Sequence, residues 1–149
     1  MVADKVDYRA LDDFISAIME KAPSLLGEAI VADHIVCTQD LMRQIALTDI
    51  VICSRYHNAV YALKLGKPVI SVGYSPKHGA LLEAAGLGGY SQAADQLDVG
   101  LLHAQLVDVI KNRRVHEQSI HEANARFQEL RNQQELILSS RFLGRGRVK

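Results

Sequence analysis

Two short clusters hold the residue types in this sequence that could do chemistry. Ser54-Arg55-Tyr56-His57 follows the apolar run Ile50–Cys53, and Tyr74-Ser75-Pro76-Lys77-His78 follows Val69–Val72; each cluster opens a stretch of helical periodicity. A helix start exposes unpaired backbone N–H groups and the positive end of the helix dipole, so both clusters favour a phosphate or a carboxylate. Arg55 offers a planar fork that binds either anion through two hydrogen bonds. His57 can give or take a proton near neutral pH. Lys77 falls in a first helical turn, where a cation opposes the dipole; a bound anion would account for it. Ser54 and Ser75 can donate to a phosphate, and Tyr74 can line a cleft.

Each of these residues also has a plainer role open to it. Arg55 could bridge to Asp49 or to a neighbouring helix, and His57 could cap a helix or donate to a carbonyl. Ser75 could serve only as an N-cap, and Tyr74 could simply close the sheet edge. His78 is adjacent to the second cluster and takes no assigned role. His34, His103, His116 and His121 have no partners at ligand spacing and read as solvated surface residues.

The elements that position the clusters follow from periodicity. Leu11, Phe14, Ile15, Ile18 and Met19 recur at helical spacing, which predicts an amphipathic helix over about Tyr8–Lys21, stopped by Pro23. A strand is expected at Ala29–Cys37, then a helix from Gln39 to about Leu47 capped by Thr38. The strand Asp49–Cys53 leads into a helix with Tyr56, Ala59, Val60 and Leu63 on one face. Gly66 ends that helix in the left-handed conformation and Lys67-Pro68 prevents its continuation. Val69–Val72 is the next strand, followed by a helix with Ser75 as N-cap and Pro76 at its first position. Gly86 closes it and Leu87 folds back.

Strands alternating with helices over short connections predict an α/β fold, a Rossmann-like parallel sheet flanked by helices. If the two strands are parallel neighbours, both clusters open on the one sheet edge where such folds bind ligands. Gly88–Asp98 reads as a loop with a short edge strand near Tyr90, and Val99–Asn112 as a helix. A long helix over about Val115–Ser140 carries the narrow stripe Ile120, Ala123, Phe127, Leu130, Gln134 and Ile137, suited to one partner surface. Residues 1–140 are expected to form a single domain, and 141–149 a basic flexible tail.

The 149 residues suffice for one domain with a core, and lysine plus arginine balance aspartate plus glutamate at 17 each, which disfavours a general nucleic-acid binder. Cys37 and Cys53 both fall in expected strands and read as buried free thiols of a reducing compartment. No acidic cluster resembles a magnesium site and no ligand set resembles a zinc site, so no metal is expected. Met1–Asp7 lacks a signal-peptide apolar stretch and no segment is long and apolar enough to span a bilayer. A cytoplasmic protein is expected, with room for association at the inner face of the membrane.

The segment Asp40–Leu87, with the matching text DIVICSRYHNAVYALKLGKPVISVGYSPKHGALLEAAGL, resembles the C-terminal half of the polysaccharide pyruvyl transferase family. Those enzymes carry a buried strand, Arg-x-His, an alanine-rich helix ending Gly-x-Pro, a second strand, a Tyr-x-Pro-Lys stretch and a helix ending near Gly-Leu. One departure is visible: the family usually has Leu between the Arg and the His, where this chain has Tyr56. The resemblance implies half of a two-domain architecture like that of GT-B glycosyltransferases, with the active site in the cleft between halves. It implies transfer of pyruvate from phosphoenolpyruvate, the donor substrate, onto two hydroxyls of a sugar or lipid-linked saccharide acceptor, giving a cyclic ketal in cell-surface polysaccharide assembly. No further cofactor is implied. On this reading Ser54, Arg55, Tyr74, Ser75 and Lys77 bind substrate and His57 is the candidate proton carrier. An N-terminal domain or partner chain would complete the site, so the isolated chain is expected to bind donor weakly and to catalyse poorly or not at all.

Two other readings remain open at this point. A GT-B glycosyltransferase or epimerase domain that binds a nucleotide sugar would use the same helix starts, but needs an acid for ribose hydroxyls, and Glu83 is the only nearby candidate. A non-catalytic assembly module would dock through the Phe127–Ile137 stripe, which in an isolated chain could also form a homodimer.

Overall fold

The computed structural model describes residues 5–25 and 35–143, which fall in two compact units, residues 1–43 and 44–149. The first unit holds helix α1, Lys5–Lys21, followed by a single 3-10 turn at Pro23–Leu25. Helix α2, Thr38–Leu47, begins in this unit. The Asp40 carboxylate reaches back to accept the backbone N–H of Cys37 at 3.2 Å and of Val36 at 3.3 Å, so the start of α2 is satisfied by Asp40 and not by Thr38. The third residue of the helix is well placed for this, because its side chain lies over the preceding turn. These bonds, with one from the Cys37 thiol, hold the Asp40 carboxyl below its usual range. The expected strand Ala29–Cys37 lies mostly outside the described residues; Ile35–Cys37 are not strand, and Cys37 is exposed.

The second unit is mixed α/β. Strands β1 (Val51–Cys53), β2 (Val69–Gly73) and β3 (Ser91–Ala93) form an open, all-parallel sheet in the order β1-β2-β3. Helices α3 (Tyr56–Lys64) and α4 (Lys77–Ala84) make the two crossovers. β2 is central and buried at every residue but Val72: Val69, Ile70 and Ser71 have no exposed surface. Such a strand needs apolar residues on both faces, which is why Val69–Val72 reads as a continuous run and not as an alternation. The core is completed by Ala59, Ala62, Leu82 and Leu87, with Val109 from α5 (Val99–Lys111) and Ile120 and Ala123 from α6 (Arg113–Leu138). A π-helical turn, Ser139–Leu143, continues α6. Among the described residues, no helix is long and apolar enough to cross a membrane.

Both crossover helices end in the same way. The N–H groups of Gly66 and Lys67 donate to the carbonyls of Leu63 and Ala62, and those of Gly86 and Leu87 to Glu83 and Leu82. These are Schellman ends, and they place Gly66 at φ 73° and Gly86 at φ 78°, a region that an L side chain reaches only with strain. Both ends also rest on α6. Asn124 Nδ2 donates to the Leu63 carbonyl at 2.8 Å, and a Cβ on Gly86 would lie 3.0 Å from the Ser119 Cβ. The start of α4 differs from expectation. Pro76 already has helical φ and ψ, no side-chain cap bond forms there, and the Ser75 carbonyl accepts from the His78 N–H at 3.1 Å. The serine's backbone closes that first turn, so its hydroxyl is not required for capping.

The opposite edge of the sheet is tied by polar groups. Tyr90, just before β3, donates its hydroxyl to Asp108 on α5, and His116 on α6 sits 3.1 Å from the same carboxylate oxygen. His116 is buried here, not solvated, because its ring also meets Tyr90 edge-on. Burial and the hydrogen bond to Asp108 push the Tyr90 hydroxyl up to about 12, and the bonds from Tyr90, Asn112 and His116 hold the Asp108 carboxyl low. Gln92 of β3 donates to Gln105 of α5, and Gln105 donates to the Gly89 carbonyl.

The glycine geometry gives a paired expectation. Gly86→Ala meets both a positive φ and Ser119, and should destabilise the chain by about 1–2 kcal/mol or more. Gly79→Ala, inside α4 with open space around a new Cβ, should be neutral or stabilising by up to about 1 kcal/mol. Urea unfolding of the two variants checks the contrast.

Candidate functional site

The register of β1 on β2 pairs Cys53 with Ser71, and that of β2 on β3 pairs Gly73 with Ala93. All three strands therefore end on one edge, and the segments that follow them share it: Ser54–Tyr56 after β1, Tyr74–Lys77 after β2 and Ala94–Gln96 after β3. This is the edge on which open parallel sheets place ligands. Both sequence clusters lie on it.

Two contacts, both made by Tyr56, join the clusters directly. Lys77 Nζ lies 4.6 Å from the centre of the Tyr56 ring, so the ammonium of the second turn rests on the aromatic side chain of the first. Tyr56 in turn meets His57 edge-on at 5.9 Å and His78 edge-on at 5.4 Å between ring centres. His57 is exposed and stacks at 6.4 Å on Tyr61, one turn along α3. Ser54, Arg55 and Lys77 are exposed, Ser75 is half-buried, and Tyr74 projects almost fully into solvent. The structure thus sets His57 and Lys77 against Tyr56, and Arg55 directly precedes that tyrosine at the start of α3.

His78 is the residue that its place in the sequence did not mark out. It is only 4 % exposed, and its Nδ1 is hydrogen-bonded to the Ser71 hydroxyl at 2.6 Å. Its ring lies over the end of β2 where Gly73 has no side chain; a Cβ there would come within 2.4 Å of the ring. Burial, with the neighbouring Lys77 charge, lowers the His78 pKa and keeps the ring neutral. The signal available in the sequence was the glycine ending an otherwise apolar strand five residues before a histidine. Its counterpart on β1, Cys53, is also buried, and burial pushes that thiol up to about 11, so it is not a nucleophile at neutral pH.

A cleft of about 250 Å³ opens at the ends of β2 and β3, lined by Gly73, Tyr74, Ser75, Pro76, Gly79, Ser91, Gln92, Ala93 and Asp95. Tyr74 and Ser75 therefore face a different space from Arg55, His57 and Lys77, which do not line it. A larger cleft of about 530 Å³ lies at the α5–α6 turn, Ile110–Glu117. Arg113 there is engaged by Asp49 and Glu117, both at 2.7 Å, so its charge is already matched. Asp49, in front of β1, thus has Arg113 as an ion-pair partner. Among the described residues, no group of three His, Cys, Asp or Glu side chains is placed to hold a metal ion.

Comparison with known proteins adds one finding. The family model described as polysaccharide pyruvyl transferase matches residues 9–76, just under half of the chain. The match takes in Ser54, Arg55, His57, Tyr74 and Ser75 and ends one residue before Lys77. It also extends upstream of Asp40, over sequence whose likeness rests mainly on the pattern of elements. No curated protein and no solved structure matches the chain.

The histidine in the glycine notch makes stability depend on pH. A folded-state pKa below the unfolded value of about 6.5 gives a contribution that is present above that pH and is lost as pH falls towards the folded value. Denaturation midpoints should decline below about pH 6.5, a window above the one in which carboxylates such as Asp108 protonate, and His78→Leu should flatten the decline. Gly73→Ala should displace the ring and weaken the fold by about 1–3 kcal/mol, as overpacking does.

Proposed function

We propose that the chain belongs to the polysaccharide pyruvyl transferase family, whose model matches residues 9–76, and that its sheet edge binds the phosphoenolpyruvate donor of that reaction. The observation that carries this reading is the contact of Lys77 with Tyr56, which joins the turn after β2 to the Arg55-Tyr56-His57 turn after β1. Phosphoenolpyruvate presents a phosphate and a carboxylate on a three-carbon frame, so its site needs cations that converge without cancelling one another. Arg55 supplies a fork for one anionic group. Lys77 lifts from the aromatic ring to meet the other; a cation–π contact of this kind, worth about 0.5–1 kcal/mol at an exposed position, is weak enough to be exchanged for an anion. Ser54 adds a hydroxyl donor, and the start of α3 adds backbone N–H groups.

The reaction needs a proton delivered to the terminal carbon of the enol, attack of one sugar hydroxyl on the central carbon, departure of phosphate, and closure by a second hydroxyl. The two hydroxyl protons end on the new methyl group and on phosphate, so the sum balances without a redox partner. His57 is placed at the helix start beside Arg55, exposed to an incoming partner, and is the proton carrier in this reading. Buried His78 is not suited to that task; it supports Tyr56. A second domain, from the same protein or a partner chain, would close over the edge in a GT-B-like arrangement and complete the acceptor site. This places the work in polysaccharide assembly in the cytoplasm or at the inner face of the membrane.

Calorimetric titration with phosphoenolpyruvate tests the donor site, with a uridine diphosphate sugar as the comparison. Saturable binding is expected, weakened tenfold or more in Arg55→Ala and in Lys77→Ala, and largely kept in His57→Gln. A preference for the nucleotide sugar would replace the donor reading with the glycosyltransferase one.

One observation favours a second role for the chain as an assembly module. Ile120 and Ala123 are buried on α6, but the same stripe continues beyond them as exposed Phe127, Leu130 and Ile137. On this reading a second copy packs along that length. Sedimentation should then show a concentration-dependent dimer that Phe127→Glu abolishes, with phosphoenolpyruvate binding unchanged.

A further inference from the structure

We propose that the cleft at the ends of β2 and β3 is a separate subsite for a neutral sugar ring, which Asp95 holds through a vicinal diol and Tyr74 covers with its face. The charge of the cleft argues against the donor. Among the described residues that line it, Asp95 is the only charged side chain, and a carboxylate repels a phosphate or another carboxylate. Arg55 and Lys77 do not line it, and the Lys77 ammonium rests instead on the Tyr56 ring. One sheet edge is thus divided into a cationic half and an anionic half, and a single ligand made only of anionic groups fits the first alone.

What the anionic half offers suits hydroxyl groups. A carboxylate accepts from two adjacent O–H groups at once, the arrangement by which open α/β folds hold a ribose, with the acid about 20 residues beyond the first glycine. Asp95 follows Gly73 by a similar interval, on the turn after the next strand. Glu83, the acid nearest in sequence, does not line the cleft. Tyr74 is 85 % exposed at the rim, an aromatic face with no burial to explain it. An aromatic body with a polar tip is suited to the apolar face of a sugar ring. Gly79 leaves open space where a side chain would stand. The wall behind is fixed: Gln92 donates to Gln105 and accepts from the Asp98 N–H, so its amide is occupied and sets the shape of the cleft. A volume of about 250 Å³ falls below the roughly 300–1,000 Å³ of pockets for drug-sized ligands and matches one small ring.

A glycoside and a nucleoside both present such a diol. That the ring belongs to the acceptor of pyruvyl transfer rests on the function proposed above; the binding of a neutral ring does not. The test is a heteronuclear NMR titration of the full chain with methyl β-galactopyranoside, with uridine, and with phosphoenolpyruvate. Saturable shifts of the Gly73, Gly79 and Ala93 amides with either neutral ligand are expected, weakened tenfold or more in Asp95→Ala and in Tyr74→Ala and unchanged in Arg55→Ala. The glycoside acting alone identifies a saccharide subsite, and uridine acting alone a ribose subsite. Absence of saturable shifts with both, or shifts indifferent to Asp95→Ala, overturns the proposal. Phosphoenolpyruvate should move Ser54–His57 instead; if it moves nothing while a neutral ring binds, the donor reading fails and the subsite stands.

Discussion

The arrangement of the sheet edge depends on the missing side chain at Gly73. Without a Cβ there, the His78 ring lies flat over the last residue of β2 and reaches the Ser71 hydroxyl two residues back along the strand. A buried imidazole left unpaired would be costly, and the serine removes that cost. The ring then gives Tyr56 something to stand against, and Tyr56 carries Lys77. Strand, second helix and first helix are joined in this order by contacts that each need the one before.

Much of this was legible in the sequence because the signals were local. Gly66 and Gly86 announced left-handed helix ends, with Leu87 folding back at the second; both glycines have positive φ, and the Gly66 end is a Schellman end as well. Continuous apolar runs announced two parallel strands, of which β2 is largely buried while β1 leaves Ile52 exposed, and the pairing of Cys53 with Ser71 brings both clusters to one edge. What was not legible depended on partners distant in the chain. Asp108 and His116 meet Tyr90 only after α5 and α6 have packed, so the spacing of two histidines on one helix said nothing about it. Asp95 gave no signal either, because a lone acid in a polar loop acquires meaning only beside Tyr74. Thr38 and Ser75 were read as caps from residue type; at the first the reach of Asp40 prevailed, and at the second a backbone carbonyl sufficed.

The two edges of the sheet are built on opposite principles. At the edge before the strands, Tyr90, Asp108, Asn112 and His116 satisfy one another, and Arg113 is held between Asp49 and Glu117. At the edge after the strands, charged and aromatic side chains stand in solvent with soft contacts. A paired network resists change because breaking one bond leaves a poorly solvated partner. A cation over a ring has no such penalty, and can leave it. The fold therefore places its exchangeable groups on one side and its fixed ones on the other, with the buried β2 between them.

α6 has a mechanical consequence. Asn124 holds the last turn of α3 and Ser119 lies against the glycine that ends α4, so the two helices whose starts carry the site both finish on one rod, within a turn and a half of each other. The rod continues for about fourteen residues past Asn124, and a helix of that length is stiff. Its far half thus acts as a lever arm with two points of attachment. Leu130 and Ile137, far along that rod, are thereby connected to the ends of both crossover helices.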